Sequence, residues 1–422
     1  MVKKCLFITS QFPPLVISGC KRTAGVSKYL ARQGWEMIVI TPEDGYVPYL
    51  DSNRDFIPQG VRIMKTKVAS PRVYREMKRT TNIFKLAVPW MLKRVLIPDR
   101  LLAWFPYAYC EAKKIIDCES IDILYSTGEY FSSHIIAMIL QKKTNIPWIA
   151  EFRDPWSSNP LVQRRNAIRK FSEKRLERAV VHAADIILSV TPHLTNELMS
   201  IHPQERKEKF FTIPNGFDHE SYEYPPSIQH KTFTICYAGT IRFREKKFQV
   251  LLVALKNLIR EKKIDPKRII INLWGWRNHL AVYQSILRKW GLEKTVFCRE
   301  SLSFTEMIRE EQKSHILLFL DNDEMIQVSV PAKLYEYLGS KRPILALTHT
   351  GSFAYNILTQ ARVGEIVSTI TIEATEHAIY SLYSEYYRSG SVPYNPNTDI
   401  VSRYRYATIA QDVDTIFCSL LP

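Results

Sequence analysis

The sequence predicts an α/β protein made of two doubly wound, Rossmann-like domains facing each other across a deep cleft. Three observations predict it. Strand-like apolar runs alternate with amphipathic helical segments along the chain, the rhythm of parallel sheets covered by helices on both faces. That rhythm halts near Pro225 and Pro226, in a stretch without helical periodicity, and then restarts. The length of 422 residues suits two or three domains at roughly 100–200 residues each.

In chain order, the first half reads as a strand at Lys4–Thr9, a helix over residues 23–33 closed by Gly34, and a strand at Glu36–Thr41. Further strands follow at Ile123–Ser126, Trp148–Phe152 and Ile186–Val190. Each is a short apolar run near a helical segment, as strands buried on both faces are. Asn215–Ile228 reads as a linker. The second half opens with a strand at Thr232–Ala238, a helix at Phe248–Arg260 and a strand at Ile269–Gly275. A helix at Thr305–Glu311, a strand at Ile316–Leu320, a helix at Ala332–Leu338 and a strand at Pro343–Thr348 complete it. The expected domains are residues 1–220 and 230–400.

Composition narrows the class. Hydrophobic residues make up 46% and charged residues 24%, which excludes a disordered tail, a collagen-like repeat and a polytopic membrane protein. The apolar run after Lys3 and Lys4 is about five residues, shorter than the ~7–15 of a signal-peptide core, and reads as a first strand. No run approaches the ~20 residues that span a bilayer. A cytoplasmic protein is expected, with any membrane contact peripheral. Seven cysteines are scattered without CxxC or Cys/His spacing, consistent with reduced thiols and no metal site. The net charge of +16 favours a polyanion: nucleic acid, an anionic membrane or a phosphorylated small molecule.

Ligands of open parallel sheets bind beyond the C-terminal strand ends, so the loops after strands are the candidates. After the first strand, Gly19 precedes Lys21 and Arg22 at a helix start. Backbone N–H groups can approach a phosphate there and Arg22 adds charge; a plain turn glycine suits the pattern too. Arg153 and Asp154 directly follow a buried strand, where charges meet a ligand or each other. Ala238-Gly239-Thr240 ends a strand and leads into Arg242, Arg244, Lys246 and Lys247. Small residues and then cations are what a diphosphate site needs, and a solvated basic loop is the alternative. Pro331 suits the first turn of a helix, and Glu336 lies one turn beyond Ala332. Asp321-Asn322-Asp323 reads as a strand-end loop, not a metal site.

Together these segments resemble the retaining, nucleotide-sugar-dependent glycosyltransferases of family 4, which have the GT-B fold, in the bacterial polysaccharide and capsule group. The resemblance rests on Phe12-Pro13-Pro14 with Gly19 and Arg22, then Phe152-Arg153-Asp154-Pro155-Trp156 and Ile213-Pro214-Asn215-Gly216-Phe217-Asp218. It continues with Tyr237-Ala238-Gly239-Thr240 and Pro331-Ala332-Lys333-Leu334-Tyr335-Glu336-Tyr337-Leu338. It implies that Gly19 lies under the donor diphosphate, that Lys246 is the phosphate-binding lysine and that Glu336 binds the nucleotide ribose. Arg153, Asp154, Lys246 and Arg242 form the implied catalytic set. Gly19, Arg22, Gly239, Arg244, Val330, Lys333 and Glu336 form the implied donor site. The donor is expected to be a UDP- or GDP-sugar, and no metal or other cofactor is required.

Three positions depart from the family. Thr240 replaces its phosphate-binding arginine, leaving Arg242 or Arg244 to substitute; Val328 replaces its first motif glutamate; and no histidine stands near Arg153. The resemblance also implies transfer on one face of the sugar, the leaving diphosphate helping to deprotonate the acceptor hydroxyl. The last segment, about 404–422, is expected to pack back on the first domain.

Residues 72–100 carry eight lysines and arginines among aliphatic and aromatic residues, and residues 164–178 carry seven more. Such mixtures suit an anionic membrane boundary, or else the apolar residues face a core. With a membrane, the acceptor is a polyprenyl-linked sugar and the enzyme sits at the inner membrane face. A GT-B nucleotide-sugar epimerase and a non-catalytic nucleotide-binding subunit with a decayed site are the alternatives. A nucleic-acid protein lacks any recognition motif here.

Overall fold

The computed structural model describes residues 2–15, 18–44, 57–69, 97–128, 130–159, 166–223, 230–241, 243–275, 280–322 and 330–421. Arg242, Asp323, Glu324, Val328, Ser329, Pro225, Pro226, Arg164, Arg165 and all of 70–96 in the first basic stretch lie outside these residues. The chain divides into two compact units, Met1–Pro214 with Tyr406–Pro422, and Asn215–Arg405.

The first unit holds a seven-stranded parallel sheet of β1 (Lys3–Thr9), β2 (Trp35–Pro42), β3 (Val61–Thr66), β4 (Ile123–Gly128), β5 (Trp148–Phe152), β6 (Ile186–Ser189) and β7 (Phe210–Thr212). The strand order is β3-β2-β1-β4-β5-β6-β7. Helices α1 (Ser18–Arg32), α2 (Phe105–Cys118), α3 (Ser132–Thr144), α4 (Ala167–Ala183) and α5 (Pro192–Ile201) connect them. Because side chains alternate across a strand, β1 feeds two cores. Leu6 and Ile8 join Trp104, Ile136 and Leu140 on one face. Cys5 and Phe7 join Val26, Leu30 and the last helix on the other. Phe7 and Tyr125, paired in register across β1 and β4, stack their rings at 4.5 Å.

The second unit holds a six-stranded parallel sheet of β8 (Phe233–Ala238), β9 (Ile269–Trp274), β10 (Val296–Arg299), β11 (Ile316–Leu320), β12 (Ile344–Leu347) and β13 (Gly364–Val367), in the order β10-β9-β8-β11-β12-β13. Its helices are α6 (Glu245–Arg260), α7 (Leu280–Trp290), α8 (Phe304–Lys313), α9 (Ala332–Gly339), α10 (Phe353–Ala361), α11 (Ile372–Ser389) and α12 (Thr398–Ser402). Ile235 and Leu318 face α6 and α11, while Leu317 and Phe319 face α9 and α10. A Ser303–Glu306 capping box starts α8. Helix α13 (Tyr406–Ser419) returns to the first unit, where Phe417 meets Trp35 edge-on at 5.1 Å.

Two elements differ from the sequence reading in ways that matter for the site. Helix α1 starts at Ser18 rather than at 23, so Gly19 and Arg22 lie inside its first two turns. Thr23 does not cap it; its hydroxyl donates back to Gln11 O at 2.7 Å. Helix α6 starts at Glu245 rather than at Phe248, which puts Lys246 and Lys247 in its first turn. The described part of the expected linker belongs to the second unit: Phe217 N–H donates to Tyr404 O at 2.9 Å, and Phe217 and Tyr222 pack in its core.

Candidate active site

In the second unit, β8 ends at Ala238 and the chain turns at Gly239, φ +116°. Gly275, just past β9, has φ +114°, and a Cβ there would lie 3.2 Å from Gly239 Cα. Only glycine is comfortable in that backbone region, and the two close-packed turns leave a bare main-chain edge. Helix α9 crosses this edge. Tyr337 OH accepts the Ala238 N–H at 3.0 Å. One turn earlier on the same helix face, Lys333 brings its Nζ over the Tyr237 ring, 3.9 Å from the centroid. A Cβ added at Gly239 would sit 3.0 Å from that Nζ.

Lys333 Nζ is buried and has no hydrogen-bond partner among the described residues. Burial pushes its pKa well below the ordinary lysine value; Arg244 adds to the depression, and Glu336 and Glu311 oppose it. An amine removed from water without an acceptor is expensive, and the Tyr237 face returns only part of that.

The basic loop packs beside it. Phe243 has φ +66°, and Arg244 Nε donates to Leu320 O at 2.8 Å, tying the loop to the end of β11. Lys246 is exposed in the first turn of α6, where the helix dipole disfavours cations and favours an anion. Lys247 is 2% exposed; burial lowers its pKa and Asp321 opposes the shift. Asp321 is buried, which pushes its carboxyl up, and it accepts the Thr348 hydroxyl at 2.7 Å. It is thus a buttress for the loop. Val330 is buried just ahead of α9, and Glu336 is half-buried on that helix.

The first unit arranges its charges differently. Gly19 is in the first turn of α1, and its carbonyl accepts from Arg153 Nη1 at 2.8 Å. Arg153 Nη2 donates to the Gln11 side chain. A Cβ at Gly19 would collide with Gln11 and the Arg153 guanidinium, so this glycine is required for close approach. Arg153 is buried and reaches back to α1; Asp154 beside it is half-buried.

Arg22, expected at the donor phosphate, is instead 2% exposed. Its Nε and Nη2 donate to Glu151 Oε1 at 2.9 and 2.6 Å, and its remaining donors reach Ile213 O and Pro214 O. Glu151 also accepts from Tyr125 OH at 2.7 Å and Thr127 OH at 2.6 Å. Burial pushes the Glu151 carboxyl up, but Arg22 and these hydroxyls more than offset it and hold it below its ordinary value. Arg22 acts inside the unit because Glu151 points into the interior beneath α1.

The structure therefore gathers Gly239, Arg244, Lys333 and Glu336 in the second unit, with Lys246 on the adjoining helix turn, and Gly19 with Arg153 in the first. Gly275, Gln11 and Glu151 were not singled out from the sequence, and Tyr237, Lys247 and Asp321 were given no role of their own there. Gly275 alone carried a signal, as one of few glycines and at a strand end; the others read as ordinary strand or loop residues. Among the described residues, no group of three or more His, Cys, Asp or Glu could hold a metal ion. No helix among them is long and apolar enough to cross a membrane.

Known proteins share the fold of the chain. Residues 21–221 match the family Glycosyltransferase Family 4. No curated protein matches the chain. Sucrose-phosphate synthase from Thermosynechococcus elongatus superposes with a TM-score of 0.66 at 14% identity, over 99% of both chains. The lipopolysaccharide outer core galactosyltransferase WaaB superposes at 0.57 and 14% identity, over 99% of this chain and all of that one. A TarM variant from S. aureus, bound to UDP, fondaparinux and α-GlcNAc-glycerol, superposes at 0.60 and 11% identity over 98% and 99%. At such identities these neighbours establish the GT-B fold, two doubly wound Rossmann-like domains. With that fold and the family match across its N-terminal half, the chain is a glycosyltransferase carrying a family 4 domain at residues 21–221.

Proposed function

We propose that this enzyme transfers a sugar, with retention of configuration, from a UDP- or GDP-sugar to a glycan or polyprenyl-linked sugar acceptor, in the assembly of a surface polysaccharide. The observation that carries this reading is the buried Lys333 amine without a partner among the described residues, beside the bare backbone of Gly239. A donor diphosphate supplies the anion that the amine lacks, at the strand end where doubly wound sheets take ligands. Arg244 and Lys246 add charge around it, Arg242 belongs to the same basic stretch of sequence, Val330 lines the approach, and Glu336 accepts from the ribose hydroxyls.

As the bond between the sugar and the leaving diphosphate breaks, negative charge grows on the departing phosphate oxygen. Lys333, Lys246 and Arg242 stabilise that charge. The acceptor oxygen forms its bond to the sugar carbon on the same face and passes its proton to the departing phosphate. In the first unit Arg153 holds the Gly19 helix turn in place, and the family resemblance gives that turn a diphosphate contact. The structural neighbours WaaB, a lipopolysaccharide outer core galactosyltransferase, and TarM, bound to UDP, favour the surface-glycan and UDP versions.

A thermal-shift panel of UDP-, GDP-, ADP- and dTDP-sugars tests the reading. A donor at ~100 times its dissociation constant stabilises by about 2.7 kcal/mol. A shift with one nucleotide class, lost in Lys333→Met, is the expected result; no shift with any donor overturns it. A free sugar product in place of a sugar joined to an acceptor would favour the epimerase.

A further inference from the structure

The N-terminal half of helix α4 is packed inside out, while its C-terminal half buries Val180 and Val181 in the core. Its inward residues Arg169, Glu173 and Glu177 are at most 9% exposed, whereas Ile168 is 77% and Phe171 62% exposed. The cause is a set of polar clamps. Arg169 donates to Glu173 at 2.9 Å and to Pro98 O at 2.6 Å. Glu177 accepts the Ser157 N–H and pairs with His202 Nε2 at 3.0 Å. These bonds set the rotation of the helix about its axis, sending charges inward and the apolar pair outward. Buried charges persist only when paired in this way, while an exposed Ile and Phe forgo the gain from burial.

The outward stripe is Ile168, Phe171, Lys174, Arg175 and Arg178 at helical spacing. The Arg175 guanidinium lies 5.6 Å from the Phe171 ring centre, so cation and apolar surface are contiguous. Both carboxylates of α4 face inward, which leaves the stripe with positive charge alone. A partner must therefore take up apolar side chains and present negative charge at the same depth.

We propose that this face of α4 docks on an anionic lipid surface. Ile168 and Phe171 enter the headgroup–acyl boundary, and Lys174, Arg175 and Arg178 meet the lipid phosphates. The proposal agrees with a lipid-linked acceptor but stands on the exposed stripe alone, so it survives or fails independently of the donor chemistry.

Full-length protein is centrifuged with vesicles of phosphatidylcholine, and with vesicles of equal phosphatidylcholine and phosphatidylglycerol, without donor or acceptor. It should sediment with the anionic vesicles only, and salt should release it. Ile168→Gln with Phe171→Gln, which keeps helix-forming residues at exposed positions, should lower partitioning about tenfold or more. Lys174→Gln, Arg175→Gln and Arg178→Gln should each lower it roughly fivefold. Unchanged circular dichroism and melting temperature certify the fold, and the glutamine variants at the cations test the same face independently. Failure of the wild type to sediment overturns the proposal, as does unchanged partitioning of the Ile168/Phe171 variant. Self-association in the absence of lipid, abolished by that variant, would assign the face to a second copy of the chain and overturn it too.

Discussion

In the first unit the sheet crosses over between β1 and β4, and Arg22 projects from α1 onto Glu151, Tyr125 and Thr127 beneath it. In the second, the crossover falls between β8 and β11, and Lys333 projects from α9 onto Tyr237 and Gly239. Both sheets wind in the same sense and both bury a cation near the switch point. The first cation is matched by a buried carboxylate and two carbonyls; the second finds no partner among the described residues. One charge is internal structure, and the other is the one the proposed donor would partner. Substitution should separate the two roles cleanly.

The largest effect is expected from Arg22→Met. It leaves the Glu151 carboxylate buried without its counter-charge, a loss of about 3–5 kcal/mol, visible as a lower urea midpoint. Adding Glu151→Met should recover much of it, since both members of the buried pair are then gone. A cost below about 1 kcal/mol for Arg22→Met would mean that the pair is not the structural element described here. Lys333→Met should do the opposite. Removing an unpartnered buried amine leaves the unliganded melting temperature unchanged or higher. Donor affinity should fall roughly 10–100-fold, the worth of hydrogen bonds to a charged group. A destabilised Lys333→Met that still binds donor normally would erase the contrast between the units.

How far the sequence announces this contrast depends on the element. Trp148–Phe152 and Ile316–Leu320 were legible to the residue, because the second is a continuous apolar run, the first is apolar but for Glu151, and both are flanked by polar or turn residues. Val61–Thr66 was not: Arg62 and Lys65 break its apolar run, since it is the sheet's edge strand with one flank in water. Phe210–Thr212, Val296–Arg299 and Gly364–Val367 are three or four residues long, shorter than a pattern needs. At the site, the glycine and the cations after β8 could be marked by residue type. That Arg22 turns inward could not, because Glu151 looks like any charge next to Arg153 until β5 is placed beneath α1. Nor could the Lys333–Tyr237 stack, which exists only once α9 lies across the end of β8.

A finer test of the second unit is Gly239→Ala. The backbone there has φ +116°, so the added Cβ is strained, and it would press on Lys333 Nζ at 3.0 Å. The Lys333 chain end can give way, so the stability cost should be about 1 kcal/mol. The displaced amine should weaken donor binding several-fold, measured by titration calorimetry. Gly275→Ala sharpens the point: its Cβ would meet the Gly239 backbone at 3.2–3.4 Å, which cannot swing aside, so it should cost more stability than Gly239→Ala. Equal donor affinity in Gly239→Ala and the wild type would detach the turn from the site.

The smallest expected effect is a fraction of a proton. In the free protein, burial holds the Lys333 amine well below the ordinary lysine value, with Arg244 adding and Glu336 and Glu311 opposing. A bound diphosphate favours the ammonium form and raises the pKa. Between the free and bound values the complex then carries more protons than the free protein, so donor affinity falls as pH rises through that window. Below the free value Lys333 is charged in both states and the dependence vanishes. Calorimetry in two buffers of different ionisation enthalpy reads the uptake directly. Proton uptake should appear in the wild type and disappear in Lys333→Met, whereas Lys246→Ala, which removes an exposed amine, should weaken binding but keep the uptake. Equal uptake in Lys333→Met would assign the proton to another group and leave the second unit's buried cation without the role that distinguishes it from Arg22.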